Sequence, residues 1–195
     1  TTSYTPDPAP YVHGDKLYMF VGHDEDDATY FKMNDWQLFS TEDMVNWTYL
    51  GTPISTETFA WAFHGDRAWA SQAIERNGKW YWYVCLNDAN KNDVLAVAVA
   101  DDPQGPYVDA IGAPLAQGFS FIDPTVFIDD DGQAYMFWGS SNFYPVRGKK
   151  LNMRDRFLVE SETFELFNTD STAHGWERFG ENHSDRNIRA YIEGA

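Results

Sequence analysis

Short apolar runs rich in aromatic residues set the pattern of this 195-residue chain. The four clearest runs are five or six residues long and cover 17–21, 80–84, 94–99 and 134–138. Polar turns that contain glycine precede three of these runs, at 13–16, 76–79 and 129–132. Asn-Gly and Asp-Gly ahead of such runs are strong hairpin signals, whereas the sequence has no long segment with the 3.6-residue helical period. The pattern therefore predicts an all-β fold.

The hairpins belong to a larger repeat. Segments that begin at Asp7, Ser71 and Asp123 lead into them at intervals of roughly 60 residues. A repeated unit of about four strands is typical of a β-propeller blade, and a lone blade cannot bury both faces, so neighbouring blades must stack around an axis. We predict one incomplete propeller domain over 1–195. Its blades lie at about 7–60, 68–118 and 121–165, with the start of a fourth at about 190–195.

The net charge of the chain limits the kinds of molecule that it can bind. The chain has 30 acidic and 14 basic residues and a formal net charge of −16. Such a surface repels phosphate backbones and anionic lipids, so we expect neither nucleic-acid nor membrane-surface binding. No apolar run approaches the roughly 20 residues of a membrane-spanning helix. The single cysteine, Cys85, lies in an apolar run and is expected to be a buried core residue. Neither localisation nor oligomeric state follows from the sequence.

Carboxylates at the starts of the repeats are the strongest candidates for chemistry. Asp7 and Asp123 each open a repeat as Asp-Pro, and Glu193 opens the fourth as Glu-Gly. Because propeller blades begin at the axis, these groups would point into one central pit, where crowding separates their proton affinities. A protonated acid that faces an ionised base can cleave a glycosidic bond. The alternative is structural, since Asp-Pro is also a common way to begin a turn.

Six segments in chain order resemble glycoside hydrolase family 43, whose members are five-bladed propellers that act on polysaccharides containing arabinose and xylose. The segments lie at 4–10, 22–27, 41–47, 68–71, 121–127 and 191–194. The resemblance implies a five-bladed β-propeller of which about three blades and the start of a fourth are present. It also implies an inverting glycosidase that releases arabinofuranosyl or xylosyl residues from plant cell-wall saccharides without an organic cofactor.

The same resemblance assigns a role to each carboxylic acid. It implies that Asp7 is the general base that activates water and that Asp123 orients the acid and tunes its pKa. Glu193 matches the general acid that protonates the leaving oxygen. The candidates for contacting the sugar are Trp69, which matches an aromatic residue packed on the terminal sugar, His23 and Phe121. For each of these three rings a core role is about as well supported.

The end of the chain departs from the family pattern. The family usually has Glu-Gly-Pro at the acid, whereas this chain reads Glu-Gly-Ala at 193–195 and does not include the rest of the fourth blade or the fifth. We therefore expect the 195-residue chain alone to have little activity. The acidic runs at 24–27 and 129–131 offer the oxygen ligands that calcium takes, which leaves a structural calcium ion as an alternative. They lack the spacing of a calcium-binding loop, so no metal is predicted.

Other interpretations remain open at this stage. A retaining five-bladed fructan hydrolase would use a related trio within Asn-Asp-Pro, Arg-Asp-Pro and Glu-Cys, and none of these three motifs is present at 6–8, 122–124 or 193–194. An endo-arabinanase would share the fold and the carboxylates. A non-catalytic carbohydrate-binding propeller, or an inactive fragment of an enzyme, would share the fold alone.

Overall fold

Two four-stranded sheets and one five-stranded sheet, all antiparallel, contain most of the strands. The computed structural model describes residues 2–118, 121–139, 146–151, 163–167 and 169–189. The first sheet contains β1 (Ala9–His13), β2 (Lys16–Asp24), β3 (Met33–Thr41) and β4 (Thr48–Ser55). The second contains β5 (Ser71–Arg76), β6 (Lys79–Asn87) and β7 (Asp93–Ala100), with β8 (Val108–Asp109) and β9 (Ala116–Gln117) both paired to β7. The third contains β10 (Thr125–Ile128), β11 (Ala134–Trp138), β12 (Val146–Leu151) and β13 (Phe164–Phe167).

The remaining elements are small. A two-stranded sheet joins β14 (Arg178–Phe179) to β15 (Asp185–Arg189). Single 3₁₀ turns cover Thr56–Thr58 and Gly175–Glu177. Within the described ranges, no helix is long and apolar enough to cross a membrane.

The first two strands of each sheet are joined by the turns that the sequence signals. Between β5 and β6, Arg76 pairs with Lys79, which leaves a two-residue loop of Asn77 and Gly78. Their φ angles are 56° and 77°. This is the left-handed backbone of a type I′ turn, whose twist matches that of the strands it joins. Asn-Gly is the dipeptide that adopts it at least cost, so the predicted hairpin is confirmed.

The core consists of two layers of side chains, one on each face of the second sheet. Along β6, Trp80, Trp82 and Val84 belong to a cluster with residues of the first sheet, including Phe20 and Trp36. The alternate residues Tyr83 and Cys85 belong to a second cluster with the third sheet. Because successive side chains of a strand point to opposite faces, a strand buried on both faces must be apolar throughout. Sheets stacked face to face in this way are the blades of a partial β-propeller, as the sequence predicts.

Candidate active site

The innermost strands of the three blades lie side by side. The Tyr11 hydroxyl donates to the Glu75 carbonyl at 3.3 Å, which ties β1 to β5. The Gln72 Oε1 atom accepts hydrogen bonds from the Thr125 hydroxyl at 3.0 Å and from the Val126 backbone N–H, which ties β5 to β10. The residues that immediately precede these three strands therefore converge at one end of the molecule.

A cavity of about 410 Å³ lies at this point of convergence. Carboxylates from the first and third blades reach it, and the segment before β5 forms the wall between them. The lining residues are Asp7, Phe31, Met33, Trp69, Ala70, Ile122 and Asp123. The structure thus brings together three of the six residues singled out from the sequence, namely the two aspartates and Trp69.

Asp7 and Asp123 have the same unusual backbone conformation. Their φ angles are 53° and 54°, in the left-handed region that costs an L-residue about 1–2 kcal/mol. Equivalent hydrogen bonds hold the residue before each aspartate. The Gly22 N–H donates to the Pro6 carbonyl at 3.0 Å in the first blade, and the Gly139 N–H donates to the Ile122 carbonyl at 2.9 Å in the third. Local strain repeated at two equivalent places is typical of functional positions.

Trp69 is fixed by three contacts. Its backbone carbonyl accepts the indole N–H of the fully buried Trp36 at 2.6 Å. Its own indole N–H donates to the Phe31 carbonyl at 2.9 Å. The Arg67 guanidinium carbon lies 4.5 Å from the centre of its ring. These contacts attach the loop between β2 and β3 to the segment before β5, so that Phe31 and Trp69 together form one side of the cavity.

His23 and Phe121 lie elsewhere. The His23 Nδ1 atom is 2.9 Å from Asp35 Oδ1, and the Phe121 ring stacks on Trp138 with centroids 5.2 Å apart. Neither is among the described residues that line the cavity. Ile122, which directly precedes Asp123, lines the cavity, whereas Phe121 does not. The sugar-binding roles of His23 and Phe121 stay predictions, and Glu193 lies outside the described residues.

Four lining residues were not among the candidates from the sequence, namely Phe31, Met33, Ala70 and Ile122. Phe31 is 72% exposed although it is a large aromatic residue. The available signal was a pair of aromatic residues, at 30–31, within an otherwise polar and acidic loop. An exposed aromatic side chain at the rim of the cavity suits the apolar face of a sugar ring, because such a ring has its hydroxyl groups at the edge.

One group of side chains in the described part of the chain has donor atoms close enough to hold a metal ion. Donor atoms of His23, Glu25 and Asp35 lie within 4.8 Å of one another. They are already engaged, since His23 is hydrogen-bonded to Asp35, and Glu25 Oε1 accepts the Asn34 side-chain N–H at 2.6 Å. These bonds brace the start of the β2–β3 loop and account for the arrangement without an ion. The expectation that no cofactor is needed stays a prediction.

Cys85 lies behind the cavity wall, as a fully buried thiol. Its Sγ atom donates to the Ala70 carbonyl at 3.4 Å. Burial raises the pKa of this thiol, and the negative charges of Asp123, Asp93 and Asp7 raise it further. The thiol is therefore neutral and serves as a packing group, as the sequence predicts.

Comparison with known proteins decides the family. Residues 1–192 match the model of glycosyl hydrolases family 43. The chain belongs to this family. The resemblance found in the sequence is thereby confirmed, and with it the assignment of the stacked sheets to the propeller of family 43 enzymes.

Individual relatives of this family 43 chain are xylosidases and arabinosidases. It is 34% identical over 145 residues to a xylosidase/arabinosidase of Bacteroides ovatus, a match that covers 70% of this chain and 43% of that protein. It is 34% identical over 149 residues to xylosidase/arabinosidase 43A of Humicola insolens, covering 71% of this chain and 44% of that protein. The matches thus span less than half the length of these relatives.

A solved structure shows the same fold. The GH43_1 enzyme from Xanthomonas citri complexed with xylotriose superimposes with a TM-score of 0.74 at 28% sequence identity. The match covers 85% of this chain and 56% of that one.

Proposed function

We propose that this protein is a glycosidase that releases terminal xylosyl or arabinofuranosyl residues from plant cell-wall saccharides with inversion at the anomeric carbon. The observation that carries the proposal is the cavity in which the carboxylates of Asp7 and Asp123 meet beside Trp69. Membership of family 43 and the xylosidase/arabinosidase relatives support the same substrate class.

The proposed reaction is a single displacement. The Asp7 carboxylate takes a proton from water, and the water oxygen attacks the anomeric carbon while the bond to the leaving oxygen breaks. Glu193 donates its proton to that oxygen, so the reaction consumes one water and releases one sugar and a shortened saccharide. Base and acid need to be roughly 6.5–9.5 Å apart, because a water molecule must fit between the base and the sugar. The negative charge of Asp123 tunes the pKa of the general acid, Glu193, and orients its side chain.

The chain's own structure supports a base at Asp7. Its strained backbone directs the side chain into the cavity, and the Gly22–Pro6 hydrogen bond fixes the backbone before it. A carboxylate that must accept a proton during a displacement benefits from a fixed position, because positioning contributes much of the rate in such reactions.

The decisive experiment compares Asp7→Asn with Asp15→Asn. Both variants make the same chemical change, but Asp15 lies in the exposed turn at the other end of β1. With protein expressed from its complete reading frame and aryl xylosides and arabinosides as substrates, we expect Asp7→Asn to lower kcat by about 10²–10⁴-fold. Affinity for xylose, measured by calorimetry, should change little, and Asp15→Asn should behave like the parent.

Two results would contradict the proposal. If Asp7→Asn retains the parent's kcat, Asp7 is not the base. If NMR of the first product shows the retained anomer, the displacement is double rather than single, and the carboxylate roles given above are wrong.

A further inference from the structure

A second cavity, of about 450 Å³, opens beside the first. We call it the basic cavity, since three of the residues that line it are cations. Its lining consists of Tyr30, Lys32, Phe63, Gly65, Asp66, Arg67, Asn87, Lys91 and Asp93. The three cations come from separate parts of the chain, namely the β2–β3 loop, the segment before β5 and the loop between β6 and β7.

The wall between the two cavities is thin. Phe31 lines the first cavity, whereas its neighbours Tyr30 and Lys32 line the basic cavity. Likewise Trp69 lines the first cavity, and the Arg67 guanidinium that packs against its ring lines the basic cavity. A ligand seated in the first cavity therefore has the basic cavity next to it, across one stretch of backbone and one aromatic ring.

Two of the three cations have no carboxylate partner among the residues that the structure describes. Arg67 lies against Asp66, with Nε 3.8 Å from Oδ2. Within the described ranges neither Lys32 nor Lys91 forms an ion pair, and the Lys91 ammonium lies 4.9 Å from the centre of the Phe63 ring.

The two carboxylates of the basic cavity are already engaged. Asp66 accepts the Arg67 backbone N–H at 2.7 Å, and Asp93 accepts the Asn87 side-chain N–H at 2.9 Å. Three cations against two carboxylates leave the cavity with one net positive charge in a chain whose net charge is −16.

We propose that the basic cavity binds the carboxylate of an acidic sugar, a uronic acid attached to the saccharide next to the residue that is cleaved. This inference rests on the proposed glycosidase function. A negatively charged protein repels an acidic saccharide overall, so productive binding needs a local cluster of cations at the acidic group. Ammonium and guanidinium groups form charge-assisted hydrogen bonds with carboxylates, and the rings of Tyr30 and Phe63 give the sugar an apolar surface to rest on.

The test uses two xylo-oligosaccharides of equal length, one undecorated and one with a glucuronic acid branch on the sugar next to the cleaved residue. The variants are Lys32→Gln, Lys91→Gln and the double variant, made in protein expressed from its complete reading frame. We expect kcat/KM for the acidic substrate to fall about tenfold for each lysine, as for the loss of a charge-assisted hydrogen bond. For the undecorated substrate, kcat/KM should change less than about twofold.

The control is Lys16→Gln combined with Lys79→Gln. It removes the same number of positive charges at the first residues of β2 and β6. There Lys16 forms a surface ion pair with Glu42, and Lys79 forms one with Asp101. This control should not change kcat/KM for either substrate.

The proposal is overturned if the double variant and the control have the same effect on kcat/KM for the acidic substrate. It is also overturned if the double variant lowers kcat/KM for both substrates equally. Failure of the proposed function is a separate result, in which the parent hydrolyses neither substrate. In that case calorimetric binding of the acidic oligosaccharide still decides the matter. Binding that weakens in the double variant supports the basic cavity, and binding that does not change refutes it.

Discussion

Trp36→Phe tests how the core of the first blade holds the cavity wall. Trp36 is fully buried, and its indole N–H donates to the Trp69 carbonyl at 2.6 Å. Phenylalanine keeps one aromatic ring in the same core but removes the donor and the second ring. The Trp69 carbonyl then loses this partner at a place where the indole had kept water away.

The magnitude follows from two contributions. A buried acceptor left without its donor costs about 1–3 kcal/mol. Loss of the buried ring atoms leaves a small void and adds about 1 kcal/mol. We therefore expect the free energy of unfolding to fall by about 2–4 kcal/mol, a large fraction of the stability of an ordinary domain. Because the Trp69 segment loses a restraint, KM for aryl xylosides should rise as well.

The assay is urea unfolding followed by far-UV circular dichroism, with each variant's midpoint taken from its own folded and unfolded baselines. Trp47→Phe is the matched control, since Trp47 is 42% exposed and the same substitution there should cost less than about 0.5 kcal/mol. Unfolding of the two variants at the same urea concentration would contradict this expectation, because the buried hydrogen bond would then contribute nothing.

Three further outcomes are expected. Gly148→Ala should destabilise the third blade by about 1–3 kcal/mol, since a Cβ there would lie 2.6 Å from the Phe164 ring; thermal unfolding measures this. Hydrogen bonds from Asn46 hold the pKa of Asp43 well below its ordinary value of 3.8. Its stabilising effect is therefore complete above that value and lost as the pH falls below it, so Asp43→Asn should lower stability at pH 7 and flatten its decline in acid. The Cys85 thiol should react with a disulfide reagent at pH 8 only after denaturation, because burial keeps it protonated and inaccessible.

Local sequence signals were sufficient for most of the fold. The Asn77-Gly78 turn and the apolar strand that follows it are short-range features, since turn chemistry and alternation of side chains act within a few residues. The equivalence of Asp7 and Asp123 could also be inferred, because a repeated unit places corresponding residues at corresponding points. The cavity that they share requires nothing beyond the stacking of these units.

Features that depend on long loops could not be inferred. Phe31 and Met33 reach the cavity because the β2–β3 loop is attached to Trp69, and no local pattern encodes that contact. The basic cavity is likewise assembled from three separate segments. Phe121 and Ile122 show that the sequence also could not tell which of two adjacent residues lines the cavity. They are adjacent in the chain and both pack against the core, but the Phe121 ring stacks on Trp138 while Ile122 lines the cavity.

The two interpretations of Asp-Pro, turn starter or reactive group, differ in what the backbone should look like. An aspartate that only begins a turn can use ordinary right-handed or extended backbone and gain stability from its side chain. Asp7 and Asp123 instead both adopt positive φ, which costs stability, and each is preceded by a carbonyl that accepts a hydrogen bond from a glycine, Gly22 in β2 or Gly139 just after β11. The segments 8–12 and 124–128 share only their first residue, a proline, yet the two blades have the same costly geometry. Such a cost is easier to explain by what the side chains do in the cavity than by what they do for the turn.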